Sequence, residues 1–432
     1  MPAERPARGA GGYDPPADRR DAGVLPMWQG AGYEKGGEGL VFVLLVYLAS
    51  RLFYLVAGIL LSRVVPVGLF QRVTSDVPFG TMNIWSHWDG EHYVALAAGG
   101  YLQPPDNVSP AFFPLYPLLI RLSTELFGGP VSQGTLSVWG VLISLLALPL
   151  ALYFVYRIAE DGWGARVAQG TVLTLAFFPT SFFLNAVYTE SLFLALSAGS
   201  LWALRVRKDL LLACTLAAFA TATRNVGVFL ILPLAYEWLK GEAGREYGPW
   251  RGAACLALAS SGLLWYAAYL WLRFGDPLLF YTQQGRWNRG ATDPLTTFRN
   301  VFVRAGEGAR DLFGPGLLDP SVGGLAERLG AAVNFYNLLF LCLALALLVA
   351  GLRVLPLSLS AYALLLILPA VFFGTPEIPL MGLPRYVLVA FPIFIVLGVL
   401  LEDRRSLGLW LVASAALSLI LCALFVSWRF VA

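Results

Sequence analysis

The chain has 432 residues, 58% of them hydrophobic and 13% charged, with a mean hydropathy of +0.68. A soluble domain carries about 25% charged residues, so this composition excludes a soluble globular protein and makes lipid the solvent for most of the chain. The net charge of +3 gives no footing for nucleic acid.

Residues 1–38 are rich in Pro, Gly, Arg and Asp and lack apolar periodicity, which predicts a disordered cytoplasmic tail. Residues 39–432 read as one membrane domain. The first apolar run, from about Leu40 to Leu61, is long enough to span, so no signal peptide is expected. A first outer loop follows, over 62–130. Within it Ala111 to Phe127 is apolar but broken by Pro114, Pro117 and Arg121. It either spans or lies flat in the interface. Lying flat, it leaves spans at about 131–156, 166–184, 188–204, 210–223, 226–239, 252–272, 331–351, 354–373, 385–401 and 407–428, eleven with the first. That arrangement puts sixteen Lys and Arg in the tail and short loops on the cytoplasmic side, against six in short outer segments. The positive-inside rule therefore favours it, with a long outer loop over 274–330. The spans near 210–223 and 226–239 are shorter than a full crossing, as expected where helices line an aqueous cavity. The four cysteines all fall in apolar runs, without metal-ligand or disulfide spacing.

The residues able to carry chemistry cluster at outer ends of these spans. Both histidines of the chain lie in His87-Trp88-Asp89-Gly90-Glu91-His92-Tyr93. On a helix Asp89 and His92 share one face, and His87 and Glu91 another. Trp85 and Trp88 suit anchoring at the membrane interface. Asp89 could be a general base, one of several solvated charges, or with its neighbours a divalent-metal ligand. The split faces count against metal, and no cofactor is expected.

Tyr188 and Glu190 sit in the second outer loop. Glu190 is either a helix-N-terminal acid or a second polar wall of a site. Arg224, beside Asn225, and Arg385, beside Tyr386, stand at outer ends of spans, where an arginine either grips phosphate or snorkels to the interface. Arg51 lies mid-span in the first helix, where a charge is costly, and a carboxylate or phosphate in the cavity is its expected partner. Gln284, Trp287 and Arg289 in the long outer loop suit sugar or phosphate contact, or an ordinary surface loop.

Taken together, Trp88-Asp89-Gly90-x-x-Tyr93, Gly100-Tyr101 and Ala111-Phe112-Phe113-Pro114-x-Tyr116-Pro117 resemble the first luminal loop of the GPI second-mannosyltransferase (PIG-V-like) family and its bacterial relatives. The similarity continues in family order at Tyr188-Thr189-Glu190-Ser191, Thr223-Arg224-Asn225-x-Gly227, Gln284-x-x-Trp287-x-Arg289 and Pro384-Arg385-Tyr386. The resemblance implies an all-α polytopic GT-C fold with interfacial helices in the first outer loop. It also implies a polyprenyl-phosphate sugar donor and a catalytic acid that maps onto Asp89. Relatives often carry paired acids in this loop. Here Gly90 separates Asp89 from Glu91, so whether Glu91 shares the work stays open. The acceptor, whether glycan, lipid or protein, is not carried over.

The expected activity is inverting transfer of a sugar, with mannose the first candidate, outside the cytoplasm at the cell membrane. The alternative is a polytopic lipid or solute transporter, for which Arg51 is the main candidate and for which no inverted repeat is visible.

Overall fold

The computed structural model describes residues 36–68, 83–102, 109–240, 242–314 and 324–432, and all regular structure among them is helical. The expected tail lies outside the described residues except for its last three, which already begin the first helix.

Eighteen helices follow in order: α1 Gly36–Val64, α2 Asp89–Gly99, α3 Leu115–Phe127, α4 Gln133–Trp163, α5 Ala165–Ala176, α6 Glu190–Arg205, α7 Leu210–Thr223, α8 Ile231–Lys240 and α9 Glu242–Ala259. Then come α10 Ser261–Phe274, α11 Leu279–Thr282, α12 Pro294–Phe313, α13 Leu325–Ala331, α14 Val333–Val354, α15 Leu357–Phe372, α16 Leu383–Val389, α17 Pro392–Leu400 and α18 Arg404–Val426. Side chains begin several of them. Ser132 accepts a hydrogen bond from the Thr135 amide, Asp209 from Leu212, Asp293 from Thr296 and Asp403 from Ser406, each meeting one of the amides a helix start leaves unpaired.

Every predicted span falls on helix. Four of them, α1, α4, α14 and α18, are long and apolar enough to cross a bilayer singly. The predicted spans 252–272 and 385–401 are bent pairs, α9 with α10 at 52° and α16 with α17 at 76°. The remaining five are helices of 10 to 16 residues: α5, α6, α7, α8 and α15. Four of these, α5 to α8, flank 3-10 turns at Ser181–Leu184 and Asn225–Leu230 that interrupt the chain between them. Non-helical backbone at such depth is tolerated only where protein or water satisfies it.

The first break shows how it is satisfied. Phe178 to Glu190 is buried throughout. Arg51, 3% exposed, reaches in from α1 and donates to the carbonyls of Ala176 and Ser181 and to Asn185 Oδ1 at 2.6–3.0 Å. Its guanidinium also lies 4.9 Å over the Tyr54 ring. Its partners are thus carbonyls at the end of α5, where a cation offsets the helix dipole, and not the expected carboxylate or phosphate.

α3 is 13 residues long, about 20 Å, too short for a hydrocarbon core of about 30 Å. It buries Tyr116, Ile120 and Thr124 while Leu118, Leu122 and Leu126 stay exposed, the pattern of a helix lying flat. The segment predicted as a long outer loop, 274–330, contains helix among its described residues. It holds α12, whose buried residues Thr297, Val301, Ala305 and Gly308 recur at helical spacing and face α14.

Candidate active site

The site is assembled by two stretches that lock together. The Val187 amide donates to the Trp85 carbonyl at 2.8 Å, and the Tyr188 hydroxyl donates to the His87 carbonyl at 3.0 Å. These bonds hold the turn that launches α2 against the mouth of α6. Trp88 takes the left-handed φ of 58° at that turn, a conformation costly for a bulky residue and characteristic of functional sites. Asp89 opens α2 and Glu190 opens α6, so both carboxylates sit where a helix dipole favours them.

Arg385 joins the two. Its Nη1 donates to Asp89 Oδ2 at 2.6 Å and its Nε to Glu190 Oε1 at 2.6 Å. The same Glu190 oxygen accepts from Arg224 Nη1 at 2.8 Å. Arg385 also lies 4.6 Å over the Tyr188 ring, and Arg224 5.5 Å over Tyr386. Glu190 is fully buried, while the Asp89 side chain keeps 35% of its exposure. Burial pushes the Asp89 carboxyl up, but the charges of Arg385, His92 and Arg289 together with the Arg385 hydrogen bond outweigh it and hold the pKa below its usual value.

Asp89 and Arg385 face a cavity of about 590 Å³, a size suited to small-molecule ligands. Trp88, Glu91, His92, Arg224, Asn225, Gln284, Trp287, Arg289 and Tyr386 line it as well. Of the residues singled out in the sequence, Tyr188 and Glu190 stand back from it, one layer behind, and Arg51, Trp85 and His87 do not line it either. Arg289 is held by the carbonyls of Phe373 at 3.1 Å and Met381 at 3.4 Å. His92 stacks on Phe112 at 4.8 Å, with the Trp287 ring edge-on at 5.9 Å.

Two expectations for this segment fail. His87 precedes α2, stacks on Trp428 at 4.0 Å and places Nδ1 3.2 Å from the Phe425 carbonyl, so it shares no helix face with Glu91. Burial lowers its pKa to about 4 despite that hydrogen bond, which leaves it neutral at ordinary pH. Trp85 is fully buried rather than an interface anchor, because α1 and α4 close over it. The sequence reading also missed Trp428 and Phe430. They form the wall beside Trp88, with ring centroids 5.9 and 5.4 Å away. Nothing local marks them; they arrive from the far end of the chain through the packing of α18 on α1.

A second cavity, about 810 Å³, runs along the C-terminal half of α2. Its lining is mostly apolar, from Leu96, Tyr101, Leu118, Phe219, Trp265 and Tyr269, and includes Arg121 of α3.

Residues 38–240 match the family model described as Mannosyltransferase (PIG-V). The resemblance read from the motifs is therefore borne out over that segment. The chain is 30% identical to the human GPI alpha-1,6-mannosyltransferase 2 over 186 residues, 41% of this chain and 36% of that protein. The mouse protein of the same name is 31% identical over 146 residues, 32% of this chain and 28% of its own. The chain thus spans about a third of the length of the curated relatives it matches. Among solved structures, the Archaeoglobus fulgidus oligosaccharyltransferase, crystallised with Zn and sulfate, is similar at a TM-score of 0.45. It is 13% identical, and the match covers 88% of this chain and 53% of that one. Gln284, Trp287, Arg289, Arg385 and Tyr386 lie beyond the family-matched segment yet line the same cavity as Asp89.

Proposed function

We propose that this chain, which over residues 38–240 matches the PIG-V mannosyltransferase family, is an integral-membrane glycosyltransferase. It moves a sugar, mannose in the first instance, from a polyprenyl phosphate to a glycan, lipid or protein acceptor. The cavity faces the outside of the cell membrane and the N-terminus lies in the cytoplasm. The Lys and Arg distribution along the chain supports that orientation.

The observation that carries the reading is the cavity floor. A carboxylate with partial access, Asp89, sits hydrogen-bonded to one of three arginines that converge there. That is the minimum set for displacing a phosphate leaving group: a base for the incoming hydroxyl and a cationic cradle for the departing oxygens. Asp89 takes the acceptor hydroxyl proton as its oxygen forms a bond to the anomeric carbon. The bond from that carbon to the phosphate oxygen breaks, and its electron pair leaves with the phosphate. Arg385, Arg224 and Arg289 share the developing charge, and attack from the face opposite the phosphate inverts the centre. This reading seats the lipid chain in the apolar cavity beside α2, whose lining adjoins that of the site at Phe113-Pro114 and at Ala222-Thr223.

The test uses purified protein in liposomes with short-chain polyprenyl phosphates carrying mannose or glucose, and with a mannose nucleotide, each beside an extract of membrane acceptors. Transfer from the mannosyl lipid with an inverted linkage is expected. Transfer from the nucleotide sugar without lipid would refute the donor assignment.

A further inference from the structure

We infer that Arg385 exchanges partners, leaving Asp89 for the donor phosphate, so that the base becomes available only once the donor is seated, and that Glu190 is the positioning residue that permits the exchange. The inference rests on the donor-phosphate reading of the cavity.

The geometry separates the two carboxylates bound to Arg385. Glu190 is fully buried, behind the cavity lining. One of its oxygens takes both the Arg385 Nε and the Arg224 Nη1, while Oε2 is buried with no hydrogen-bond partner among the described residues. A buried carboxylate left in that state is held by its two cations and cannot lose them without a large desolvation cost. Its bond to Arg385 is therefore the fixed one. The Asp89 contact is the opposite case. Asp89 keeps access to the cavity, and only Nη1 of Arg385 binds it. Water or an acceptor hydroxyl can replace that single bond. A phosphate arriving in the cavity competes for the same guanidinium edge with more acceptor oxygens and a better match to the planar fork.

The exchange solves a problem in the resting site. While Arg385 grips Asp89, the carboxylate is a poor base, because its charge is already neutralised. When Arg385 turns to the phosphate, Asp89 faces an anion where it had a cation, and its proton affinity rises. The other groups facing Asp89 are Arg289 from the segment after α11, Glu91, His92 and Tyr93 on its own helix, and Tyr188 behind it. In this scheme they keep their places. Glu190 acts on Asp89 through Arg385: it keeps the guanidinium within reach of both Asp89 and the cavity, and its charge lowers the cost of releasing Asp89.

The sign follows by linkage. If donor binding raises the proton affinity of Asp89, donor binding takes up protons, and the donor binds more tightly as pH falls from 7 to 5. The experiment is calorimetric titration of the full-length protein, without acceptor, using a short-chain polyprenyl mannosyl phosphate in buffers of different ionisation enthalpy. Its phosphodiester does not titrate in this range. The expected result is uptake of a fraction of a proton per donor, larger at pH 5 than at pH 7, and none for Asp89→Asn. Glu190→Gln, which keeps the oxygen but not the charge, leaves Arg385 with Asp89 as its only carboxylate and reduces the uptake severely even where donor still binds. A wild-type protein that binds donor with no proton uptake, or an Asp89→Asn protein with undiminished uptake, overturns the exchange. A folded Glu190→Gln protein with wild-type uptake overturns the positioning role. Should that variant fail to fold, the wild-type and Asp89→Asn titrations decide the exchange, and Glu190→Asp, which retains the charge on a shorter arm, decides the positioning role by the same measure. Absence of any donor binding removes the donor-phosphate reading itself, a result distinct from binding without uptake.

Discussion

Arg385 is the residue on which the site's geometry turns. It is 8% exposed and bridges carboxylates delivered by two other helices, through two different nitrogens of one planar head. An ammonium cannot reproduce that fork. Arg385→Lys should therefore fold, keep most of its thermal stability and lose roughly 10²-fold or more in sugar transfer. Arg385→Ala leaves Glu190 with Arg224 alone and should cost about 3–5 kcal/mol, the usual penalty for breaking a buried pair. Initial rates and thermal unfolding, measured side by side, check both. A lysine variant with wild-type turnover would reduce the arginine to a structural cation. At this scale the sequence motifs found the right residues but not their relations. Asp89 and Arg385 lie far apart in the chain, and no local pattern pairs them. Arg51 departs from expectation for a related reason. Its carbonyl partners are free because the helix breaks at Ser181–Leu184, and the sequence reading carried its span to residue 184 past the mark of that break, Pro179-Thr180-Ser181.

Among the elements, α2 and the two bent pairs around it decide the shape of the cavities. α10 approaches α7 so closely that a methyl group on Gly262 would sit 2.1 Å from the Ala218 carbonyl oxygen and 2.6 Å from the Ala222 amide. Both atoms belong to backbone and cannot swing aside. Close backbone approach at small residues is the normal way for membrane helices to pack. Gly262→Ala should push the helices apart, cost about 1–3 kcal/mol and disturb the apolar cavity that Gly262 lines. Gly99, at the end of α2, has nothing within 4 Å of a built methyl group, and Gly99→Ala should be neutral or slightly stabilising. Thermal unfolding in detergent distinguishes the two, and equal effects would contradict the packing described. Elements of strong apolar run were legible from composition. α12 was not, because its many polar and charged residues keep it from standing out as an apolar run. Its signal was nonetheless present, in the Asp293-Pro294 start and in the spacing of Thr297, Val301, Ala305 and Gly308. The proposed flat placement of α3 rests in the sequence on the charges of distant loops, which respond to the parity of the spans between them.

For the whole molecule, orientation is the first question. In the proposed orientation, with α3 flat, the loop holding Lys208 is cytoplasmic. Of the four cysteines only Cys342 is exposed, so Cys342→Ser gives a quiet background for labelling. A cysteine placed at Lys208 should resist an impermeant reagent in intact cells and react after permeabilisation. Labelling of intact cells would mean that α3 crosses. The deeper question is whether the molecule as a whole serves to bring a lipid-linked sugar to one carboxylate. The most direct measurement is the initial rate of sugar transfer from a polyprenyl phosphate by Asp89→Asn and Glu91→Gln beside the wild type in liposomes, with thermal stability recorded for each. Asn keeps the shape of Asp and loses the base, so Asp89→Asn should retain its fold and fall roughly 10²–10⁴-fold in rate, while Glu91→Gln should fall much less. A stable Asp89→Asn protein that transfers sugar at close to the wild-type rate would contradict the account at its centre.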